Sequence, residues 1–278
     1  MDAFFNRRFV PEKQVRISAF DRGLLYGDGV FETTRIYGGR FFWLDRHLLR
    51  LQRGLGRLGI KIPYNRVELE FFVRELVIRN GVKDGFIRIV VTRGEGLLGF
   101  SPRGSGAPQI IVVARPRNLS TWQRRHPVWR LCIVDDIIRG LGFKTLSYLP
   151  HVLAKKKAEQ NGYEDPILLN PKGEVMEAAA SNVFIASEKF LWTPPLSSGC
   201  LEGITRQAVI KIAKKLKIRM SEKPMPVRAL KKAKEIFITN SLLEIVPCVI
   251  GKKVPSRVPV LTLALQEKFE QFRDRHLE

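Results

Sequence analysis

Residues 29–43 read GVFETTRIYGGRFFW. Val30, Phe31, Thr33, Thr34 and Ile36 are β-branched or aromatic, which favours an extended chain over 29–36. Gly38-Gly39 supplies the positive φ of a tight turn, and RFFW (40–43) returns as a second strand. Asp45 follows in the position of an N-cap, and Leu48, Leu51, Leu55 and Leu58 then recur on one helix face. A hairpin running straight into an amphipathic helix predicts a mixed α and β class.

Reading outward, a second helix is predicted over about 65–79, ending at Asn80-Gly81. FIRIVVT (86–92) and QIIVVAR (109–115) are predicted strands. PRNLSTWQRRHP (116–127) has two prolines and no hydrophobic period, and reads as an interdomain linker. It separates a small N-terminal α/β domain, 1–115, from a larger C-terminal domain, 128–278. In the latter, strands are predicted at 128–135, 166–169, 182–186, 190–193 and 235–239, and helices at about 149–161, 204–217 and 259–275. Their spacing is too irregular for a doubly wound sheet.

With 278 residues, 45% apolar and 27% charged, the chain can bury a full core, which excludes a disordered tail, a collagen-like chain or a disulfide-dense miniprotein. No apolar run approaches the roughly 20 residues of a membrane helix, and MDAFFNRRFVPEK has no apolar signal core. Cys132, Cys200 and Cys248 are odd in number and far apart, as free thiols in a reducing compartment would be. A cytoplasmic protein is expected. Lys plus Arg is 48 against 27 Asp plus Glu, a net charge of +21. Such a balance suits nucleic acid or a small anionic ligand. The densest basic runs, 155–157 and 211–217, fall on predicted amphipathic helices and read as solvated faces. Zinc-finger spacing and aromatic RNA-binding patterns are absent, so neither a nucleic-acid nor a membrane partner is expected.

Several residues carry chemistry. Lys144, in GLGFKTLSYLP (140–150), would become a nucleophile if partly desolvated; taken alone, a lysine there is more commonly an exposed one. Glu177 lies among apolar and small residues in GEVMEAAASNVF (173–184), where a carboxylate is costly to bury without donors or a cation. Residues 199–206, GCLEGITR, combine glycines, a hydroxyl and a helix start, which suits either an anion or an ordinary capped helix. Asn240-Ser241 ends a strand with two more donors. A lysine for an imine, a carboxylate for a pyridinium nitrogen and a helix N-terminus for a phosphate are what pyridoxal phosphate requires. Spacing by itself does not bring Lys144 and Glu177 into one pocket.

From about Ser18 to Gly251 the chain resembles the class IV aminotransferase family. The resemblance rests on DRGLLYGDGVFETTRIY (21–37), LDRHLLRL (44–51), the Lys144 segment, GEVMEAAASNVF, LEGITR (201–206) and ITNSLLEIVP (238–247), in that order. The family comprises branched-chain aminotransferases, D-amino acid aminotransferases and 4-amino-4-deoxychorismate lyases. The resemblance implies a two-domain fold type IV enzyme of the D-amino acid aminotransferase kind. It also implies pyridoxal phosphate as cofactor, a small-molecule substrate, and a homodimer or larger assembly with its active site at an interface. By the same resemblance Lys144 is the Schiff-base lysine and the base at the substrate Cα. Glu177 pairs with the pyridine nitrogen, Tyr148 contacts the ring oxygen and Leu201 packs under the ring. Arg50, Ile204, Thr205 and Ser241 reach the phosphate. Tyr26, Phe31 and Arg93 match regions lining the substrate side, where a core tyrosine, a core phenylalanine and a surface arginine are equally open readings.

The substrate signals conflict. Glu202 stands where proline is common. Leu98-Gly99-Phe100 lacks the arginine that lyases often carry there, while TNSL (239–242) and KTLSYLPHVLA (144–154) look lyase-like. On the latter pair the first expectation is a lyase converting 4-amino-4-deoxychorismate to 4-aminobenzoate and pyruvate. The alternative is a branched-chain or D-amino acid aminotransferase with a 2-oxo acid acceptor. A basic nucleic-acid-binding protein is a third reading from another class.

Overall fold

The computed structural model describes residues 1–117, 128–137, 140–187, 189–253 and 259–278. They form two compact units. The first starts at Met1 and takes in Phe143–Tyr148 and His276–Glu278; the second includes Leu149–Arg275. The expected boundary, with all of 128–278 in one C-terminal domain, is therefore corrected at two places. Residues 143–148 add to the edge of a first-unit strand: Phe31 N–H donates to the Lys144 carbonyl at 3.0 Å and Leu146 N–H to the Gly29 carbonyl at 3.0 Å. The C-terminus exchanges two backbone hydrogen bonds, each 2.9 Å, between Phe41 and Glu278. Of the expected linker, 118–127 lies outside the described residues.

The first unit contains β1 (Asp2–Phe5), β2 (Arg8–Pro11), α1 (Arg22–Tyr26), β3 (Gly29–Tyr37), β4 (Arg40–Phe41), α2 (Leu44–Leu58), α3 (Arg66–Arg79), β5 (Gly85–Thr92) and β6 (Gln109–Pro116). Its strands form one antiparallel sheet, β2-β1-β6-β5-β3-β4. Alternation along β3 decides what faces what. Val30 and Ile36 enter the core with Leu44, Leu48, Leu51 and Leu55 of α2 and Leu69, Val73 and Leu76 of α3. Glu32 shares their face; Phe31 points to the other. Asp45 is not the N-cap of α2. Trp43 holds that position in the left-handed region (φ 53°) without a side-chain cap, and Asp45 lies in the first turn, where its charge still complements the helix dipole. By contrast α3 opens on a full capping box between Asn65 and Glu68.

The second unit contains β7 (Trp129–Ile137), α4 (Leu149–Gln160), β8 (Asp165–Leu169), β9 (Glu174–Ala178), β10 (Asn182–Ser187), β11 (Phe190–Thr193), α5 (Ile204–Lys215), β12 (Arg219–Glu222), β13 (Met225–Pro226), α6 (Val227–Lys231), β14 (Glu235–Asn240), β15 (Glu244–Ile250) and α7 (Val260–Asp274). The sheet order is β12-β11-β10-β14-β15-β7-β8-β9-β13, with parallel pairs at β11/β12, β15/β7 and β7/β8. β8 is buried along its whole length, so it reads as a continuous run rather than an alternating one. The three cysteines are free thiols. No helix among the described residues is long and apolar enough to cross a membrane.

Asp165, at the start of β8, is buried with Lys155 Nζ 3.8 Å away. Burial outweighs that cation and pushes the carboxyl from its ordinary 3.8 up to about 7. The folded state thus holds this proton where the unfolded chain has lost it, and stability falls as pH rises through that window. Asp165→Asn is expected to remove this fall, leaving the variant more stable than wild type at pH 8 by on the order of 2–4 kcal/mol. Urea midpoints at pH 4 and pH 8 check it; parallel pH dependence in the two proteins would refute it.

Candidate active site

On the first unit, Lys144 lies on the strand segment bridged to β3 through Val30 and Thr145. Gly29 permits this approach: a Cβ there would sit 2.3 Å from the Val91 carbonyl oxygen and 2.7 Å from Leu146 Cδ1. Lys144 Nζ stands 4.3 Å from the Phe31 ring centroid and 5.3 Å from that of Tyr148. The two rings meet edge to face at 5.2 Å. The structure therefore brings together three of the expected residues, Lys144, Tyr148 and Phe31. It adds a fourth, Arg88 of β5, whose guanidinium carbon is 4.2 Å from the Phe31 centroid. The signal for Arg88 was present: a charge interrupting the apolar run FIRIVVT.

On the α2 side of β3, Glu32 receives Arg50 Nε at 2.7 Å and Arg50 Nη2 at 2.9 Å, with His47 Nδ1 at 3.0 Å. All three groups are buried. Burial alone would raise the Glu32 carboxyl; the charge and hydrogen bonds of Arg50, then those of His47, outweigh it and hold Glu32 at about 2. Burial also lowers His47 from its ordinary 6.5, against the pull of Glu32. A neutral imidazole beside an ionised acceptor carries its proton on Nδ1 and donates it to Glu32. Arg50 is a site residue only by the resemblance, which assigns it to the phosphate; Glu32 and His47 carry no such expectation. A carboxylate at a core-facing strand position was the overlooked sign.

Tyr26 and Arg93 occupy a different arrangement, centred on Asp28. Arg93 donates to Asp28 through Nε (2.7 Å) and Nη2 (3.0 Å), and from Nη2 to the Leu58 carbonyl at 2.7 Å. Arg22 Nε reaches Asp28 at 3.1 Å, while its Nη1 and Nη2 hold the carbonyls of Gly99 (2.9 Å) and Phe100 (3.1 Å). Tyr26 Oη accepts the Gly99 N–H at 2.8 Å. Arg22 and Tyr26 thus brace the 97–100 loop, while Arg93 is held by Asp28 and the Leu58 carbonyl. Burial would raise Asp28, but Arg93 and Arg22 hold it below the usual carboxylate range. Asp28→Asn is expected to destabilise the fold by about 1–3 kcal/mol, because two guanidiniums lose an ionised acceptor. It should also speed hydrogen exchange at the Gly99 amide; unchanged exchange there would show that Asp28 does not brace the loop.

On the second unit, Glu177 extends from β9 and is buried. Its Oε2 accepts the Leu201 N–H at 3.0 Å and faces Asn182 Nδ2 at 3.5 Å; Oε1 lies 3.9 Å from His151 Nε2. Asn182 Nδ2 also holds the Leu201 carbonyl at 2.8 Å. These contacts tie the carboxylate to the entry of α5. Its N-cap, Gly203, makes no side-chain cap bond, and a Cβ there would fall 2.0 Å from Asn182 Oδ1. Without a side-chain cap, the first-turn amides of Ile204 and Thr205 suit an anion. Near Ser241, Asn240 Oδ1 accepts the N–H groups of Leu242 (2.9 Å) and Leu243 (2.8 Å), and its Nδ2 donates to Ser181 Oγ at 2.8 Å. Thr239 Oγ1, paired in register with Asn182, is buried without a hydrogen-bond partner among the described residues. An orphaned buried hydroxyl, a buried carboxylate and a helix start without a side-chain cap fit a phosphorylated pyridine. Asn182 and His151 escaped the sequence reading because neither is marked by local spacing.

The sequence profile of the family described as "Amino-transferase class IV" matches residues 29–250. The chain belongs to the class IV aminotransferases. A putative branched-chain-amino-acid aminotransferase of Methanocaldococcus jannaschii is 39% identical, over 99% of this chain and 97% of that protein. A D-alanine aminotransferase of Listeria monocytogenes is 33% identical, over 89% of this chain and 86% of that one. Among solved structures, a branched-chain aminotransferase from Thermoproteus uzoniensis with norvaline superposes at a TM-score of 0.90 and 30% identity, covering 100% of this chain and 98% of that one. A putative 4-amino-4-deoxychorismate lyase from Legionella pneumophila shares the fold (TM-score 0.85) at 23% identity, which speaks for the fold alone. Class IV aminotransferases use pyridoxal phosphate, and the mixed α/β fold is that of the family.

Proposed function

We propose that this enzyme transfers an amino group from a branched-chain aliphatic amino acid to a 2-oxo acid. The observation that carries this reading is identity to an aminotransferase along nearly the whole chain, 39% over 99% of it. The lyase expectation gives way to its alternative. It rested on TNSL and KTLSYLPHVLA, and these segments surround Ser241 and Lys144, positions the resemblance assigns to cofactor binding. Segments that serve the cofactor do not discriminate between substrates.

In this reading Arg50, the amides of Ile204 and Thr205, and the hydroxyls of Thr205 and Ser241 bind the cofactor phosphate. Glu177 holds the proton on the pyridine nitrogen, and the Leu201 N–H and Asn182 fix the carboxylate that does so. By the resemblance, Leu201 would pack against the ring and Tyr148 would contact its oxygen. When bound, pyridoxal phosphate supplies an electron sink for the charge left at the substrate Cα. Lys144 removes the proton from that carbon and returns it during transfer. Phe31 offers an apolar wall beside the Lys144 amine, and Arg88 a guanidinium for a carboxylate. By the same resemblance the enzyme works as a homodimer, and its free thiols support a cytoplasmic setting.

A donor panel tests the reading. L-valine, L-leucine and L-isoleucine are expected to yield their 2-oxo acids with 2-oxoglutarate present. D-alanine is the second reading, favoured by the 33% identical relative; a faster reaction with D-alanine would replace the first. Release of 4-aminobenzoate from 4-amino-4-deoxychorismate, without turnover of any amino acid, would reinstate the lyase.

A further inference from the structure

Between Lys211 and Lys234 the chain has ten lysines and arginines and one carboxylate, Glu222. That surplus of nine is a large part of the net +21, carried on 24 of 278 residues. All ten cations are exposed. Along the chain they fall into two groups parted by Pro224 and Pro226. One is the end of α5 with β12; the other is α6 and the turn after it.

The fold joins the two groups. β12 and β13 stand at opposite ends of the 9-stranded order, yet Glu222 ends one and Met225 begins the other. Three residue steps span at most about 11 Å, so the sheet curls until its edges meet. Trp192 Nε1 donates to the Lys223 carbonyl at 2.8 Å and pins the join. One basic band therefore crosses the closed edge. The neighbouring carboxylates leave it unneutralised. Glu222 is taken by Arg206 at 2.7 Å, and Glu235 by the amides of Leu261 and Thr262. On α7, which packs against α5, Arg273 holds Glu270 and Asp274, and Lys268 lies 3.8 Å from Glu267. Lys214, Lys217, Lys231 and Lys232 have no carboxylate partner among the described residues.

We infer that this band binds the phosphate backbone of a nucleic-acid duplex, without reading its sequence. Like charges crowded into one band repel, and an anion relieves them. The cations are spread along the band rather than gathered on one point, which suits a repeating anion over a single small one. The stretch has no Phe, Tyr or Trp, so it offers unpaired bases no ring to stack on. A duplex presents its phosphates outward and needs none. The apolar stripe of α5, with Ala208, Val209, Ile212 and Ala213, is buried within the unit. No apolar face of that helix is left to enter a lipid surface.

Fluorescence anisotropy of a labelled, random-sequence DNA duplex titrated with the holoenzyme tests this. At physiological salt the dissociation constant is expected at about 10⁻⁶–10⁻⁴ M. Log affinity should fall against log salt with a slope of about −4 or steeper, as release of about five counterions requires. The pairs Lys214→Glu/Lys217→Glu and Lys231→Glu/Lys232→Glu lie on either side of the closed edge. Each should weaken binding about tenfold or more and make the slope shallower by about 2. Both should transfer amino groups at the wild-type rate; where a glutamate pair is less active, its glutamine counterpart carries the comparison. Arg7→Glu/Arg8→Glu removes the same charge from the first-unit hairpin and should change affinity by about twofold at most, because salt screens remote charge. Absence of binding at low salt, a slope shallower than about −2, or equal losses in the band variants and the Arg7/Arg8 control would each overturn the inference. Tighter binding to single strands or to phosphatidylserine vesicles would do the same.

Discussion

Lys144→Ala is expected to lower amino transfer by about 10²–10⁴-fold or more, and to remove the visible absorbance of the reconstituted enzyme. On the proposed reading the side chain serves the chemistry, and the fold depends on it little. Its backbone carbonyl accepts the Phe31 N–H, so the strand pairing survives truncation. Its amine stands against the Phe31 and Tyr148 rings, 4.3 and 5.3 Å from their centroids. An ammonium over aromatic faces contributes little to stability at a partly exposed site, about 0.5–1 kcal/mol. Activity should therefore collapse while the thermal midpoint hardly moves. Lys144→Arg separates charge from chemistry, because a guanidinium keeps the aromatic contact but cannot act as a neutral amine. It should be as inactive as the alanine variant. A small amine added to Lys144→Ala should recover part of the rate. Activity of either variant within tenfold of wild type would remove Lys144 from the mechanism.

Local pattern made much of this fold legible. GVFETTRI, the Leu48-Leu51-Leu55-Leu58 stripe and QIIVVAR are β3, α2 and β6, because alternation and the helical period report which face is buried. Long-range pairing left no such trace. Nothing near Lys144 shows that residues 143–148 add to β3, nor near Glu278 that it pairs with Phe41. β9 was overlooked because EVMEA carries two carboxylates and no β-branched run, and β12 and β13 are short. At the candidate site, Lys144, Glu177 and the helix start at Ile204 and Thr205 could be singled out by their residue chemistry, and Tyr148 by the resemblance alone. Their supports, Glu32, His47, Asn182 and Asp28, could not, because a positioning group is defined by what it touches. Arg93 shows the converse: read as a substrate-side residue, it is engaged by Asp28 and the Leu58 carbonyl.

Glu32→Ala should be the most destabilising single change, by about 3–5 kcal/mol at pH 7, the range for removing one partner of a buried ion pair. The carboxylate meets Arg50 at 2.7 and 2.9 Å and His47 at 3.0 Å, and without it a buried guanidinium keeps its charge and loses its counter-ion. The pH dependence carries the signature. Held at about 2 in the fold against an ordinary 4.5, the Glu32 carboxylate adds stability that is complete above 4.5 and lost as pH falls towards 2. The stability gap between wild type and variant should therefore be widest above pH 5 and narrow between pH 4.5 and pH 2, as read from urea denaturation across that range. Glu32→Gln keeps shape and one acceptor but no charge, and should fall between the two. It also probes function. If Arg50 reaches the cofactor phosphate, releasing it from Glu32 should raise the cofactor dissociation constant in a glutamine variant that remains folded, with little change in turnover at saturating cofactor. A glutamine variant with wild-type stability and wild-type cofactor affinity would reduce the Glu32–Arg50 pair to a bystander.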